Sequence, residues 1–253
     1  MQSAALRTDL IHALDPVTFV HDVTGFEPDP WQAEVLRSDA DRLILNCSRQ
    51  SGKSTIAGLL ALHTAIYSPG SLILLLSPSL RQSSELFQGG VHRVYGAIAE
   101  DHPARRESAL RLELRNGSRI VSLPGKEGTV RGYAGVSLLI VDEASRVPDD
   151  LFHAISPMLA VSNGRLVLLS TPFGKRGIFF STWDTGDDWQ KIQITAEQCP
   201  RISADFLKRE RKSMPRWFYA QEYECSFEES QAAVFDWSAI EEAAKGKVKT
   251  WRV

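Results

Sequence analysis

The sequence is poor in cysteine and has no long hydrophobic run. Its three cysteines, Cys47, Cys199 and Cys225, are widely separated and odd in number, which argues against a disulfide framework and for a reducing compartment. The longest apolar run, residues 71–77, is too short to span a bilayer, and no basic segment followed by an apolar core opens the sequence. We therefore expect a cytoplasmic protein that does not insert into a membrane.

The sequence also lacks an excess of charge of either sign. A net charge of −2 excludes a strong overall attraction to nucleic acid, so any surface of that kind must be a local patch. The 253 residues, 43% of them hydrophobic and 24% charged, suit one large globular domain with a small appendage. No cluster of metal-ligating residues is visible in the sequence.

Short apolar runs that alternate with helix-like segments indicate an α/β core. The runs do not alternate with polar residues, which favours strands covered on both faces, as in a parallel sheet. They are residues 42–48, 71–77, 136–145 and 164–172, and the segments 52–67, 78–100 and 148–160 between them are long enough for crossover helices. The pattern predicts a mainly parallel central sheet flanked by helices.

Two segments depart from this alternation. In residues 108–123, leucines alternate with charged residues and lead into Asn116-Gly117, the sequence of a tight hairpin turn. After residue 195 the apolar spacing becomes helical, with Pro215 between two short helices. We expect an antiparallel insertion in the sheet and a division into a core, 1–195, and a helical lid or linker, 196–253.

A phosphate-binding loop is predicted where the first strand meets the next helix. Residues 45–55, LNCSRQSGKST, contain Gly52, Lys53 and Ser54 of the pattern G-x-x-x-x-G-K-[ST], but Cys47 replaces its first glycine. In such a loop, backbone amides and the helix N-terminus face a polyphosphate, the lysine neutralises the outer phosphates, and the serine ligates Mg²⁺.

Two later strand ends carry residues that suit the same chemistry. We expect Asp142, at the tip of a strand next to the phosphate-loop strand, to hold Mg²⁺ through water, and Glu143 to polarise an attacking water. Ser170 and Thr171 end another buried strand, where they could sense hydrolysis and transmit it. Alone, the acids fit a solvated strand end and the hydroxyls fit a turn before Pro172. Together with the loop they favour a nucleotide hydrolase.

A helix that precedes the first strand begins with Trp31 and Gln32. A glutamine amide can form two hydrogen bonds with the amino and ring-nitrogen edge of adenine, and a tryptophan offers a stacking or packing surface. The pair predicts adenine recognition only in combination with the loop.

Taken in order, these segments resemble the large terminase subunit, the ATPase of the DNA-packaging motor of tailed bacteriophages and related viruses. The resemblance runs from about residue 28 to 236 and rests on WQ, CSRQSGKST, LLIVDEAS, LSTPFG and WFYAQEYECSFEESQAAVF, the last of which resembles the segment that closes the ATPase region. In this family the first loop glycine is commonly absent, and an Arg-Gln or similar pair precedes Ser-Gly-Lys. Cys47 is therefore no departure from the family pattern.

The resemblance implies a RecA-like (ASCE) P-loop NTPase that hydrolyses ATP with Mg²⁺ and moves double-stranded DNA into a viral procapsid. Glu143 would be catalytic, Arg131 would be an arginine finger that reaches the γ-phosphate in a neighbouring subunit, and Arg49 is a competing candidate that acts in cis or as a sensor. The residues expected to contact the nucleotide are Trp31, Gln32, Ser48, Arg49, Gln50, Ser51, Gly52, Lys53, Ser54 and Thr55.

The resemblance also implies partners and a location. They are a homo-oligomeric ring, a pentamer by family likeness, the portal protein and the small terminase subunit, in the host cytoplasm at the procapsid. Large terminase subunits usually continue into a ribonuclease-H-like nuclease domain. Too few residues follow the ATPase segments for that fold, so we expect no nuclease activity from this chain.

Basic residues cluster in two places where DNA phosphates could bind without sequence readout. One is segment 105–131 and the other is segment 201–216, and the loop FGKRG, 173–177, offers a further DNA or subunit contact. The candidate DNA contacts are Arg105, Arg106, Arg111, Lys175 and Arg176. A solvated hairpin explains the first cluster equally well, and a basic run at 201–216 is more simply a solvated helix face.

Two other functions fit part of the pattern. A helicase-like DNA translocase shares the loop, the acids and the hydroxyls, but it needs a second RecA-like domain, for which 253 residues leave no space. A nucleotide-gated assembly protein would bind ATP chiefly to dock on partners and would show no appreciable turnover.

Overall fold

An eight-stranded sheet organises the part of the chain that the computed structural model describes, residues 2–130 and 132–229. Its strands are β1 (Arg42–Cys47), β2 (Leu72–Ser77), β3 (Ala104–Ser108), β4 (Arg111–Leu114), β5 (Arg119–Pro124), β6 (Leu138–Asp142), β7 (Arg165–Ser170) and β8 (Gln190–Ile194). They lie in the order β3-β4-β5-β2-β6-β7-β1-β8. The strands from β5 to β8 in that order are parallel, and β4 runs antiparallel to both β3 and β5.

Helices cover the sheet. They are α1 (Gln2–Leu14), α2 (Pro16–Thr24), α3 (Pro30–Arg37), α4 (Lys53–Tyr67), α5 (Leu80–Leu86), α6 (Arg93–Tyr95), α7 (Glu127–Val130), α8 (Asp149–Ala160), α9 (Gly177–Thr185), α10 (Ala204–Ser213) and α11 (Arg216–Tyr223). A π-helical turn, Phe87–His92, joins α5 to α6, and short 3₁₀ turns follow β6 and β8. No helix within the described ranges is both long enough and apolar enough to cross a membrane.

The uninterrupted apolar strands are buried on both faces, as the sequence predicts. Every residue of β2 and β6 is buried. Successive residues of β1 point to opposite faces: Leu43 and Leu45 join the apolar cluster beneath α4, whereas Ile44 joins the cluster beneath α8. The prediction of a mainly parallel sheet flanked by helices is confirmed.

The strand order corrects one expectation about the site. Asp142 was expected on a strand next to the phosphate-loop strand, and that is wrong: β7 lies between β6 and β1. The register of β7 places Ser170 opposite Asn46 of β1, and Leu169 opposite Asp142 of β6. Apolar segments of similar length and composition do not specify which strands will pair, so the strand order could not be predicted from the sequence.

The hairpin is confirmed and is larger than expected. Asn116-Gly117 turns β4 into β5, with Gly117 at φ 87°, and β3 adds a third strand at the edge of the sheet. The segment 78–100, expected to be one helix, is interrupted at the π-helical turn. There Gly90 packs against Gly58 of α4 so closely that a Cβ on Gly58 would lie 2.3 Å from the Gly90 carbonyl carbon.

The helices after residue 195 also form as expected. Pro215 separates α10 from α11, because a proline cannot continue the hydrogen bonding of the preceding helix. Residues 230–253 lie outside the described part, so the division into a core, 1–195, and a lid, 196–253, stays a prediction.

Candidate nucleotide-binding site

The phosphate loop connects β1 to α4 at the carboxyl edge of the sheet. Left-handed backbone occurs there at Gln50, with φ 57°, and at Gly52, with φ 100°. Cys47, at the position of the missing glycine, is the fully buried last residue of β1, and φ there is not in the left-handed region. A side chain is therefore tolerated. Burial raises the pKa of the Cys47 thiol to about 12, which keeps it neutral.

Neighbouring segments hold the start of this loop. The Ser48 amide donates to the Ile194 carbonyl at 2.8 Å, and the Arg49 amide donates to the Glu222 carbonyl at 3.0 Å. These two amides are thereby committed within the protein. The backbone that can face a phosphate consequently starts at Gln50 and continues into the first turn of α4.

Gly52 is required for two reasons. Its φ of 100° is strained for any residue with a side chain. In addition, a Cβ at this position would lie 2.9 Å from Gln32 Nε2 and 3.3 Å from Arg201 Nη2. The loop therefore passes close beneath the start of α3.

Lys53 and the two later strand ends meet at one point. Lys53 Nζ donates to Thr171 Oγ1 at 3.3 Å and lies 3.7 Å from Glu143 Oε1. Ser170 Oγ lies 3.5 Å from Glu143 Oε2. The lysine side chain is only 10% exposed. The fold thus brings together four side chains that the sequence places on three separate segments.

Asp142 and Glu143 have different surroundings although they are adjacent. Asp142 is buried, and its Oδ1 accepts a hydrogen bond from the Glu143 amide at 3.0 Å. Burial, with a smaller contribution from the Glu143 carboxylate, raises the pKa of Asp142 to about 7, while Lys53 opposes the shift. Glu143 begins a 3₁₀ turn with φ 50°, a strained backbone that places its side chain beside Lys53.

The donor set at this edge fits Mg²⁺. That ion prefers oxygen ligands and is usually held by one or two carboxylates together with substrate phosphates. Asp142 offers a carboxylate at the end of β6, and Ser54 offers a hydroxyl in the first turn of α4. A positive ion here would also favour the charged form of the buried Asp142 carboxyl.

A cavity of about 540 Å³ adjoins the loop on the side of α3. Gln32 lines it, with Oε1 accepting from the Asp29 amide at 2.9 Å as part of the helix cap. Its Nε2 is buried without a hydrogen-bond partner among the described residues. Trp31 is 8% exposed and belongs to the apolar core rather than to the cavity lining. Other lining residues are Phe26, Gly52, Thr55, Arg93 and Arg201.

A second cavity, of about 430 Å³, lies on the other side of the loop. Arg49 lines it, and Arg49 Nε lies 2.6 Å from Oε2 of Glu222, a residue that is 2% exposed. Phe173, Arg146 and Arg176 line the same cavity. A loop arginine is thus bound to a buried acid of α11 next to the phosphate site.

The remaining predicted residues are scattered. Arg131 lies outside the described residues. Arg105 and Arg106 are on β3, at the opposite end of the strand order from β1. Arg111 donates to Glu113 at 2.8 Å, which reduces the positive charge of the hairpin. Lys175 and Arg176 lie in the loop between β7 and α9.

Four residues at the site were not predicted. Ser145 Oγ lies 2.7 Å from Ser170 Oγ and donates to the Thr171 carbonyl at 2.8 Å, so it joins the turn after β6 to the end of β7. Arg146 lies beside Glu143. Ser145 and Arg146 come two and three residues after Glu143, and this short spacing could have predicted that they lie at the site. Glu222 lies in the segment that resembles the end of the ATPase region and Arg201 begins the basic run 201–216, but no signal connected either residue with the loop, which both reach only through the fold.

Comparison with known proteins identifies the family. Residues 44–242 match the family described as "Terminase large subunit, T4likevirus-type, N-terminal". The chain belongs to the terminase large subunit family. It is 30% identical over 181 residues to the large terminase subunit of Thermus virus P23-45, and 28% identical over 237 residues to that of Escherichia phage T5. The matches cover 64% and 87% of this chain but only 37% and 52% of those relatives, so this terminase chain spans about half of their length or less.

Solved terminases share the fold. The Thermus phage P74-26 large terminase ATPase domain superposes with a TM-score of 0.75 at 23% identity, covering 85% of this chain and 100% of that one. The HK97 bacteriophage large terminase gives 0.64 at 19% identity, over 92% of this chain and 52% of that one. The expected RecA-like terminase fold is therefore confirmed.

Proposed function

We propose that this terminase chain is an ATP-hydrolysing motor domain that drives double-stranded DNA into a viral procapsid. One observation carries the proposal: the Glu143 carboxylate lies 3.7 Å from Lys53 Nζ and 3.5 Å from Ser170 Oγ, at the sheet edge that also bears the phosphate loop. A phosphate-binding lysine and an acid that can orient or deprotonate water are among the groups that phosphoryl transfer to water uses, and the hydroxyl beside them is placed to sense the result.

The chemistry follows from these positions. Lys53 and the loop amides bind the outer phosphates of ATP, while Ser54 and Asp142 hold Mg²⁺, which neutralises phosphate charge when bound. When Lys53 turns to the phosphates, the Glu143 carboxylate is released to accept a proton from the attacking water. Ser170 and Thr171 touch Glu143 and Lys53, so they can register the loss of the γ-phosphate.

The cavity beside the loop and the side chains of Gln32 and Arg49 also support nucleotide binding. The 540 Å³ cavity is bordered by Gly52 and Thr55 of the loop region, which suits a base attached to phosphates in that loop. The unpartnered Nε2 of Gln32 supplies a donor for an acceptor atom of the base. On the other side, the γ-phosphate would compete with Glu222 for Arg49, a sensor role for this arginine.

Assembly and partners are the less direct part of the proposal. Family membership supports action on DNA, with the portal protein and the small terminase subunit as partners. We further propose that the chain works in a ring in the host cytoplasm, in which Arg131 completes a neighbour's site. Lys175 and Arg176, near the hydroxyl sensors, are DNA contacts that hydrolysis could move directly.

The test of hydrolysis is Glu143→Gln. Loss of the base should lower turnover at least about a hundredfold while ATP binding survives, because general-base catalysis is worth about 10²–10⁴. Turnover and the dissociation constant of a fluorescent ATP analogue would be measured with and without DNA. Glu85→Gln, which removes an exposed carboxylate of α5, is the matched control. Near-normal turnover of Glu143→Gln would place the base elsewhere, and a wild-type protein that binds ATP without turnover would favour the nucleotide-gated assembly protein.

A further inference from the structure

A second cation besides Lys53 lies beside the Glu143 carboxylate. Arg146 Nε is 3.7 Å from Oε2, the oxygen near Ser170, whereas Lys53 Nζ is 3.7 Å from Oε1. Each carboxylate oxygen thus faces a different positive group. Lys53 has phosphates to bind in the nucleotide complex, so Arg146 is the cation that can stay with Glu143 throughout.

The backbone gives Arg146 a fixed place relative to Glu143. Residues Ala144–Arg146 form a 3₁₀ turn in which the Arg146 amide donates to the Glu143 carbonyl at 2.9 Å. Ser145 joins the same turn to the end of β7 through Ser170 Oγ and the Thr171 carbonyl. The backbone of the turn is therefore fixed relative to both Glu143 and the end of β7. The long side chain of Arg146 needs a further contact to be oriented.

An aromatic ring orients that side chain. Arg146 Cζ lies 4.3 Å from the centre of the Phe173 ring, and the arginine side chain is 33% exposed. A cation over an aromatic face is attracted by the ring quadrupole. Phe173 comes two residues after Thr171, so the ring is attached to the segment that carries the hydroxyl sensors.

We propose that Arg146 is a positioning residue for the Glu143 carboxylate and that Phe173 holds its guanidinium in place. The inference rests on the proposed role of Glu143 as the base. Through Phe173, the arrangement links the orientation of the base to the segment after β7, which also bears Lys175 and Arg176. A shift of that segment would loosen Arg146 and, with it, the placement of the carboxylate.

The test compares turnover with nucleotide affinity in Arg146→Ala, Arg146→Lys and Phe173→Leu. Misplacement of a reacting group by about 1 Å can cost about a hundredfold, so Arg146→Ala should lower kcat by about 10- to 100-fold and leave the dissociation constant of a fluorescent ATP analogue within about twofold. Arg146→Lys should recover part of kcat because it keeps the charge. Phe173→Leu should lower kcat less than Arg146→Ala, and the double variant should be no slower than Arg146→Ala alone.

Arg211→Ala is the matched control. Arg211 also lies over an aromatic ring, 4.9 Å from the centre of Tyr219, and pairs with a glutamate, Glu224, but it lines neither of the two cavities beside the loop. Its loss should leave kcat unchanged. Thermal unfolding would verify that each variant folds, and Arg146→Gln, which keeps the side chain as far as Cδ but removes the charge, replaces Arg146→Ala if that variant does not.

The outcomes separate the inference from the proposed function. An active wild type, an inactive Glu143→Gln and a normal kcat for Arg146→Ala would overturn the positioning role alone. A dissociation constant that rises in step with the loss of kcat, or additive losses in the double variant, would also overturn it. A wild type without turnover would overturn the proposed function and the inference together.

Discussion

At the scale of single residues, the site contains two non-glycine residues in left-handed backbone. Gln50 has φ 57° in the phosphate loop and Glu143 has φ 50° after β6. Such conformations cost about 1–3 kcal/mol each, and they persist where the surrounding structure enforces them. Both serve the site: one turns the loop toward α4, and the other sets the carboxylate beside Lys53.

Replacement of Gly52 by alanine should damage the loop. The added Cβ would meet Gln32 Nε2 at 2.9 Å, and φ 100° is unfavourable for alanine. We expect a loss of about 1–3 kcal/mol in the free energy of unfolding, measured by chemical denaturation, and at least tenfold weaker ATP binding, measured by fluorescence titration.

Gly128→Ala is the control for that substitution. Gly128 has open space around its Cβ position and no left-handed φ. Alanine there should be neutral or slightly stabilising. Equal ATP affinities for the two variants would contradict a special role for Gly52.

At the scale of elements, three strand ends build the reactive edge. The order β6-β7-β1 puts the hydroxyl strand between the acid strand and the loop strand, so Ser170 and Thr171 lie between the groups they would sense. Helix α2 matters for the other side of the site, because Thr24, Gly25 and Phe26 at its end line the 540 Å³ cavity. The stability of α2 therefore bears on the cavity wall.

The start of α2 should be sensitive to pH. The Asp15 side chain accepts from the Val17 amide at 3.1 Å and from Arg37, and the hydrogen bond from Arg37 is the main cause that lowers the pKa of Asp15 to about 2. A lowered folded-state pKa gives stability that is present above the ordinary aspartate pKa, about 3.9, and is lost as pH falls toward 2.

Substitution of Asp15 by alanine checks this dependence. At pH 7 we expect a loss of about 1–2 kcal/mol in the free energy of unfolding, from the helix cap and from the pairing with Arg37. Water screening reduces the second contribution because Arg37 is half-exposed. The difference in the free energy of unfolding between this variant and the wild type should shrink as the pH falls from 5 to 2. Urea denaturation of both proteins at each pH measures it. Asp15→Asn, which keeps the cap but removes the charge, should lose less stability at pH 7 than Asp15→Ala. If the difference between Asp15→Ala and the wild type stays constant with pH, the lowered pKa of Asp15 is not the source of the pH dependence.

At the scale of the whole molecule, the nucleotide site and the basic hairpin lie far apart in the sheet. The site uses β6, β7 and β1, whereas Arg105 and Arg106 are on β3 at the far end of the strand order. The loop with Lys175 and Arg176 adjoins the site directly. In a motor that moves DNA by ATP hydrolysis, a DNA contact next to the nucleotide site can be moved directly by the reaction. We therefore expect DNA to contact this loop rather than the hairpin.

A site shared between subunits makes a prediction about mixtures. If Arg131 completes a neighbour's site, Arg131→Ala and Glu143→Gln subunits, each inactive alone, should recover some hydrolysis when mixed, because one pairing joins an intact acid to an intact arginine. Specific activity of the wild type should also rise with protein concentration. Steady-state ATPase assays over a range of mixing ratios measure both effects, and mixtures with no activity at any ratio would count against a shared site.

Much of the site was predictable because its chemistry is local in sequence. Gly52, Lys53 and Ser54 are consecutive, Asp142 and Glu143 are adjacent, and each motif follows a short apolar run whose length favours a buried strand. The Asn116-Gly117 turn and the break at Pro215 were predictable for the same reason: each depends on the backbone preferences of one or two residues.

The sequence by itself thus determined the four buried strands β1, β2, β6 and β7, the Asn116-Gly117 hairpin, the phosphate loop and the acid pair, since periodicity and turn chemistry act over a few residues. It did not indicate the edge strands β3 and β8. Only the tertiary structure decided that β7 separates β6 from β1, that Glu222 binds Arg49, and that Arg146 bridges Glu143 and Phe173. Strand order and contacts across the sheet depend on packing among segments far apart in the chain. Several apolar runs of similar length could satisfy that packing in more than one order, and the complete fold selects one.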